Sequence, residues 1–112
     1  MIDAYHFGRI VIDGTTYSSD LIIFPDRIEA VWWRREGHVL HIEDIESIVA
    51  AKPDVLIVGT GKYGVMNVPH ETRAYLHANG VDVLVEPTDK AVELYNYYAG
   101  AKKVVAALHL TC

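Results

Sequence analysis

Short apolar stretches separated by turn residues fill the beginning of the chain and predict antiparallel β structure. Asp13 and Gly14 form a dipeptide that is typical of tight hairpin turns. Further along, apolar and polar positions alternate with a period of two, which places Trp32 and Trp33 on opposite faces of a strand. The strands predicted in this part of the chain span residues 6–12, 15–17, 21–24 and 27–34.

The rest of the chain alternates between helical and strand periodicity. Amphipathic stretches with helical spacing are separated by short apolar runs that end at glycine or other turn residues. The predicted order is a helix over 42–51, a strand over 55–58, a helix over 69–79, a strand over 81–86, a helix over 88–99 and a strand over 103–110. The last strand is apolar on both faces, which is typical of a strand in the middle of a sheet.

This succession of elements predicts an α/β fold with a central mixed β-sheet, helices on both of its faces and an N-terminal antiparallel β-rich portion. The length of 112 residues is room for one compact domain, so we expect a single domain over residues 1–112. In such sheets, ligands bind beyond the carboxyl ends of the parallel strands.

Charge and cysteine content disfavour several classes of function. The formal net charge of -5 disfavours nucleic-acid binding, since phosphate contacts require a basic surface. Cys112 is the only cysteine, which rules out an internal disulfide and leads us to expect a cytoplasmic protein. The chain starts without the pattern of a leader sequence, and its longest apolar run, residues 104–108, is far shorter than the about 20 residues of a membrane span. We therefore expect no membrane association.

The sequence Gly59-Thr60-Gly61-Lys62-Tyr63-Gly64 matches the GxGxxG pattern of dinucleotide-binding folds. In that fingerprint the glycines lie at the turn into the helix, and the pyrophosphate rests on the helix N-terminus. Here the predicted helix begins at Pro69, five residues after Gly64, so the third glycine cannot serve helix–strand packing. We therefore predict no dinucleotide and no other cofactor.

The same loop leaves two interpretations open. The backbone N–H groups of Gly59, Thr60 and Gly61 could bind a small anion or phosphate, assisted by the Lys62 ammonium and by the positive end of the helix that begins near Pro69. Alternatively, the glycines only turn a buried strand outward.

Trp33, Arg34 and His38 form a second candidate surface. Because Trp32 and Trp33 face opposite sides of the predicted strand, we expect one indole to remain partly exposed. An exposed tryptophan beside arginines is typical of a protein-contact hot spot. The alternative is that both indoles pack under helices.

The residue patterns do not favour metal binding or nucleophilic catalysis. The histidines at positions 38, 41, 70 and 77 lack the spacing of metal ligands relative to carboxylates, so we predict no metal site. His109 and Cys112 are three positions apart and would point to opposite faces of a strand. We therefore predict no cysteine nucleophile, and no catalytic residue overall.

Several strings spread over nearly the whole chain carry a family resemblance. They are Trp33-Arg34, Glu36-Gly37-His38, Leu56-Ile57-Val58-Gly59-Thr60-Gly61, Val68-Pro69, Gly80-Val81-Asp82-Val83, Ala91-Val92, Tyr95-Asn96 and His109-Leu110-Thr111-Cys112. With these strings the chain resembles a small domain-of-unknown-function family that is typified by a methanobacterial protein. Its eukaryotic relatives include an adipogenesis-associated protein and a mitochondrial respiratory complex I assembly factor.

The resemblance implies a three-layer α/β fold around a mixed sheet, with the last strand central and antiparallel. It brings no catalytic residues to this chain. The better-known relatives act as assembly or regulatory factors, so the resemblance favours a role in protein association over a reaction.

Two hypotheses about function follow from these observations. The first is a non-enzymatic interaction or assembly-type protein whose surface combines Trp33, Arg34 and His38 with the loop over residues 59–64, and whose partner is another protein or a second copy of the chain. The second is a protein, enzymatic or not, that binds a small anion or small molecule. Its site would consist of Gly59, Thr60, Gly61, Lys62 and Pro69.

Overall fold

Two β-sheets and three helices form the structure, a computed structural model that describes residues 1–112. The strands are β1 (Ile2–His6), β2 (Arg9–Ile12), β3 (Thr15–Tyr17), β4 (Leu21–Ile23), β5 (Ile28–Glu29), β6 (Val55–Thr60), β7 (Asp82–Glu86) and β8 (Val104–His109). The helices are α1 (Glu46–Ala50), which follows a 3₁₀ turn over Ile42–Ile45, α2 (His70–Ala78) and α3 (Thr88–Tyr98). No helix has the length and apolar character that crossing a bilayer requires.

The larger sheet has five strands in the order β5-β4-β8-β6-β7, and the smaller sheet has three in the order β1-β2-β3. The last strand, β8, is central, and all of its residues are buried. It is antiparallel to β4 and parallel to β6. The antiparallel direction implied by the family resemblance is therefore correct for one neighbour of β8 and wrong for the other.

Alternate residues of β6 divide the core into two clusters, one on each face of the larger sheet. Leu56 and Val58 face the cluster that includes residues of α1 and α2. Val55 and Ile57 face the cluster that includes residues of α3 and of the smaller sheet. The predicted fold class, a mixed sheet covered by helices on both faces, is confirmed.

The hairpin between β2 and β3 forms where the sequence predicts it. Asp13 and Gly14 have φ angles of 48° and 83°, the left-handed values that a tight two-residue hairpin turn requires. The strand predicted over residues 6–12 is in fact divided, because the chain turns at Gly8, where φ is 76°.

Strand β1 is the element that the sequence analysis missed. Asn96 of α3 fixes its start, since the Asn96 amide donates to the Ile2 carbonyl and the Asn96 side-chain oxygen accepts the Ile2 N–H, each at 2.9 Å. This contact joins residues from opposite ends of the chain, so no local pattern indicates it.

Only Ile28–Glu29 of the strand predicted over residues 27–34 is a strand. Beyond it the backbone leaves the sheet, and the N–H of Trp32 donates to the carbonyl of Asp20 at 2.7 Å. The alternation of side chains nevertheless continues, because Trp32 and Arg34 are buried while Trp33 is exposed. The period of two therefore predicted which side chains face inward but not where the sheet ends.

Helix α2 begins at His70, and Pro69 is its N-cap rather than its first residue. Residues 65–69 separate this helix from Gly64. The expected gap between the glycine-rich loop and its helix is confirmed, and the third glycine takes no part in a helix start of the dinucleotide-binding kind.

Candidate interaction site

Residues that are distant in sequence meet at one edge of the larger sheet. Thr60 ends β6 and pairs with His109, which ends the parallel strand β8. Strand β4 runs in the opposite direction and pairs Leu21 with Leu108, so Asp20, immediately before β4, lies beside His109. This edge is the carboxyl end of the parallel strands, where α/β proteins commonly place their binding residues.

Asp20, Arg34 and His109 form a buried polar group that we call the Asp20 cluster. The Asp20 Oδ2 atom accepts hydrogen bonds from Arg34 Nη2 at 2.8 Å and from His109 Nδ1 at 2.7 Å. The Asp20 Oδ1 atom accepts the backbone N–H of Leu110 at 2.7 Å. The Arg34 and His109 side chains are only 4% and 6% exposed, so the cluster lies inside the protein.

The surroundings of Asp20 keep its carboxyl ionised. Burial on its own raises the pKa of Asp20, but hydrogen bonds from His109, from the Leu110 N–H and from Arg34 outweigh burial and lower the pKa from 3.8 to about 2. The resulting negative charge compensates the Arg34 guanidinium, which would otherwise be an unpaired charge in the interior.

Arg34 connects the Asp20 cluster to the loop that carries Trp33. Its Nη2 atom also donates to the Gly37 carbonyl at 2.9 Å, and its guanidinium carbon lies 4.6 Å from the centre of the Trp32 ring. A guanidinium over an indole is stabilised by the ring quadrupole. The expectation that Arg34 belongs to an exposed interaction surface is therefore wrong, because the buried Arg34 side chain joins the loop to Asp20.

His38 lies next to this cluster and remains exposed. Its ring meets the His109 ring edge-on, with the ring centres 5.6 Å apart. The structure thus brings two of the predicted surface residues, Arg34 and His38, together at His109.

Val31 and Trp33 point to solvent on the other side of the same loop. They are 71% and 78% exposed, so the expectation that one of the two adjacent indoles remains exposed is confirmed. Both side chains line an open groove of about 650 Å³, which we call the Trp33 groove. The other residues that line it are Glu29, Trp32, Arg35, Glu43, Asp44, Glu46 and Ser47.

The Trp33 groove is acidic, since it is lined by four carboxylates and one guanidinium. The Arg35 guanidinium donates to Glu43 at 3.0 Å, and this hydrogen bond lowers the pKa of the Glu43 carboxyl. Glu29 lies 4.0 Å from Arg27. Glu46 forms no ion pair, so its negative charge is available to a molecule in the groove.

The loop over residues 59–64 uses backbone donors within the chain. The N–H of Gly61 donates to the Thr88 hydroxyl at 2.8 Å, and the N–H of Lys62 donates to the Thr111 carbonyl at 2.6 Å. Engaged donors cannot also hold an anion. The geometry of Gly61 and Lys62 therefore gives no support to the anion-binding hypothesis, which stays a prediction.

Two side chains of the same loop also have partners within the chain. The Lys62 ammonium lies 3.1 Å from Asp89, which compensates its charge. The Thr60 hydroxyl donates a hydrogen bond to the Glu86 carbonyl at 3.1 Å.

Two glycines of the loop are required by close packing. Gly61 has a φ of 104°, and a Cβ atom there would lie 2.8 Å from the His109 ring and would overlap the backbone of Cys112. A Cβ atom on Gly59 would lie 2.9 Å from both Leu108 and the Thr88 hydroxyl. The glycines thus allow the end of β6 to pack against the chain that follows β8.

Sequence reasoning missed the roles of Asp20 and Thr88. A single acidic residue ahead of an apolar strand carries no signal, since its partners lie far away in the sequence. The Thr88 hydroxyl accepts the Gly61 N–H and donates to the His109 carbonyl at 2.6 Å, which joins the loop to the end of β8. The two predicted sites therefore meet at His109, which contacts both Arg34 and the Gly61 region.

Comparison with known proteins places this architecture in a family. The chain is similar to the conserved hypothetical protein PH1505 from Pyrococcus horikoshii OT3, with 32% sequence identity, a TM-score of 0.86, and coverage of 100% of this chain and 99% of that chain. It is similar to MT938 at 26% identity, a TM-score of 0.80, and coverage of 100% and 98%. It is also similar to an outer membrane protein from Bartonella henselae at 26% identity, a TM-score of 0.83, and coverage of 99% and 94%.

None of these names states a reaction or a ligand. The comparisons therefore show the fold and the family relationship of the chain. The model of the family described as "Protein of unknown function (DUF498/DUF598)" matches residues 2–109, which is almost the entire chain. The methanobacterial family resemblance read from the sequence agrees with this match and with the similarity to MT938. The chain belongs to the DUF498/DUF598 family.

Proposed function

We propose that this protein is a non-enzymatic interaction protein and that the Trp33 groove is the surface that binds its partner. The observation that carries the proposal is the exposure of Trp33, which is 78% accessible beside the similarly exposed Val31. Transfer of such apolar surface from water to an interface is favourable, and tryptophan is enriched among the residues that dominate binding energy.

The groove also has a preformed backbone, which lowers the entropic cost of binding. The N–H of Trp32 is bonded to the Asp20 carbonyl, and Arg34 is bonded to the Asp20 carboxylate. The residues on both sides of Trp33 are therefore bonded to Asp20, next to the sheet, before a partner arrives.

The rival function, binding of a small anion at the loop over residues 59–64, has less support. Of its backbone donors, the Gly61 N–H is bonded within the chain, and the charge of the Lys62 ammonium is compensated by Asp89. A ligand there would have to displace these contacts before it could form its own.

Selection of a random peptide library on the immobilised protein tests the proposal, because a library samples many possible partner segments at once. We expect enriched peptides to lose about tenfold or more in affinity with the Trp33→Ala variant, as for an interface hot spot. Tyr97→Ala is the matched control, because Tyr97 is 77% exposed on α3, outside the groove. Peptides that bind wild type and Trp33→Ala equally well, or the absence of any enrichment, would contradict the proposal.

A further inference from the structure

We infer that the partner segment bound by the Trp33 groove is rich in lysine and arginine. The inference rests on the proposed function and adds the chemical class of the ligand. It follows from the charge of the groove, from the placement of the indole and from a contact that the protein makes within its own interior.

The charge of the groove favours a cationic occupant. Four carboxylates and one guanidinium leave an excess of negative charge, in a protein whose net charge is already -5. Opposite potentials across an interface accelerate encounter and disfavour acidic partners. The charge of the groove therefore favours a basic segment both during its approach and in the bound complex.

Two of the four carboxylates, Asp44 and Glu46, form no ion pair within the protein, whereas Glu29 and Glu43 lie beside Arg27 and Arg35. Asp44 accepts backbone N–H groups from Arg35 at 3.1 Å and from His41 at 2.9 Å, which orients the carboxylate without adding a positive side chain. Glu46, in the first turn of α1, forms no ion pair. A lysine or arginine of the partner would supply the missing countercharge.

The indole supplies a second contact suited to a cation. A cation over the face of a tryptophan ring is attracted by the ring quadrupole, and the attraction grows when both groups are partly shielded from water. In the Trp33 groove the exposed indole of Trp33 and the carboxylates belong to one surface. A basic side chain there could contact the ring and pair with a carboxylate at the same time.

A cation that contacts both an indole and a carboxylate is already present in the interior of the protein. The Arg34 guanidinium lies 4.6 Å from the centre of the Trp32 ring and donates to the Asp20 carboxylate at 2.8 Å. The neighbouring residue Trp33 offers the same chemistry on the outer side of the loop, with carboxylates nearby but with no cation over its ring. The groove thus presents an indole and carboxylates at the surface, and the equivalent pair in the interior, Trp32 and Asp20, is bound by Arg34.

Two synthetic peptides of equal length test the inference, one alternating lysine with serine and the other alternating glutamate with serine. We expect the lysine peptide to bind wild-type protein and the glutamate peptide not to bind. Raising the salt concentration from about 0.05 M to about 0.5 M should weaken the lysine peptide, because salt screens exposed charges. Trp33→Ala should reduce its binding about tenfold.

The matched charge variants are Glu46→Gln and Glu71→Gln. Both glutamates lie in the first turn of a helix, but only Glu46 lines the groove. We expect Glu46→Gln to weaken the lysine peptide about two- to fivefold, as for a partly exposed ion pair, and Glu71→Gln to leave its affinity unchanged.

The outcomes separate this inference from the proposed function. Trp33-dependent library peptides that are neutral or acidic, with no response to Glu46→Gln, would overturn the basic-partner inference and leave the proposed function in place. If no peptide of either charge binds in a Trp33-dependent way, both fail. Equal weakening by Glu46→Gln and Glu71→Gln would also overturn the inference, because it would indicate a general charge effect rather than a site.

Discussion

The loop over residues 30–41 and the loop over residues 59–64 contain the two candidate sites, and they use their polar groups in opposite ways. The 59–64 loop bonds its backbone donors to its own chain and places glycines against neighbouring backbone. The 30–41 loop buries one polar side chain, Arg34, and leaves a large apolar side chain, Trp33, in water.

This difference shows that a motif-like string and a functional surface need not coincide. In the 59–64 loop the residues that resemble a ligand motif satisfy packing at the end of a buried strand. In the 30–41 loop the exposed Trp33 has no role in stabilising the fold that the structure reveals, whereas its neighbours Trp32 and Arg34 do. The 30–41 loop therefore carries the exposed apolar side chain on which the proposed interaction rests.

The largest effect is expected at Gly61. Substitution by alanine places a Cβ atom against the His109 ring and the Cys112 backbone, at a φ of 104°. We expect Gly61→Ala to lower the free energy of unfolding by about 4 kcal/mol, measured by chemical denaturation. Gly100→Ala is the control, since a Cβ atom there meets nothing within 4 Å, and it should change stability by less than about 0.5 kcal/mol. Equal stability of the two variants would mean that the loop is not a packing element.

Two adjacent arginines provide the next contrast. Arg34 is buried in the Asp20 cluster, whereas Arg35 forms an exposed pair with Glu43. We expect Arg34→Met to cost about 3 kcal/mol, because it leaves the Asp20 charge without one of its partners. Arg35→Met should cost less than about 1 kcal/mol. Thermal and chemical unfolding of both variants measure the difference, and similar losses at the two positions would contradict the anchoring role of Arg34.

Acid should weaken the attachment of the 30–41 loop. The pKa of Asp20 is lowered to about 2 in the folded protein from 3.8, so its stabilising contribution is complete above pH 3.8 and disappears as the pH falls through about 2. The contribution amounts to about 2 kcal/mol, since one pKa unit corresponds to about 1.4 kcal/mol. Denaturation of wild type and Asp20→Asn as a function of pH measures it. An equally steep loss of stability in Asp20→Asn across this range would assign the effect to other groups.

The smallest effect on stability is expected at Trp33. Because its indole is mostly in water, Trp33→Ala should change the free energy of unfolding by less than about 0.5 kcal/mol. The same substitution should nevertheless impair peptide binding. A loss of stability as large as that of Arg34→Met would show that Trp33 is part of the fold rather than a binding residue.

Local patterns in the sequence predicted most of the architecture. Turn chemistry or periodicity within a few residues predicted the hairpin at Asp13 and Gly14 and the central position of the last strand. The same local patterns predicted the gap between the glycine-rich loop and the start of α2. Strand β1 was missed because the strand predicted over residues 6–12 runs through the turn at Gly8, across which β1 pairs with β2.

The candidate site was predictable only in part. Alternation correctly placed Trp32 and Trp33 on opposite sides, but it could not show that Arg34 turns inward to meet Asp20 and His109. Those contacts depend on the antiparallel pairing of β4 with β8, which brings residues 20 and 109 together. The family resemblance predicted the fold and the family relationship. It implied no residue roles, so it could not predict the contacts of Arg34 with Asp20 and His109.

The most direct measurement is a titration of ¹⁵N-labelled protein with the alternating lysine–serine peptide, followed by two-dimensional NMR. We expect the indole N–H signal of Trp33 and the backbone signals of Val31 and Glu46 to shift with a common saturation curve, while those of Gly61 and Lys62 stay in place. Shifts concentrated at Gly61 and Lys62, with Trp33 unaffected, would contradict the assignment of binding to the Trp33 groove.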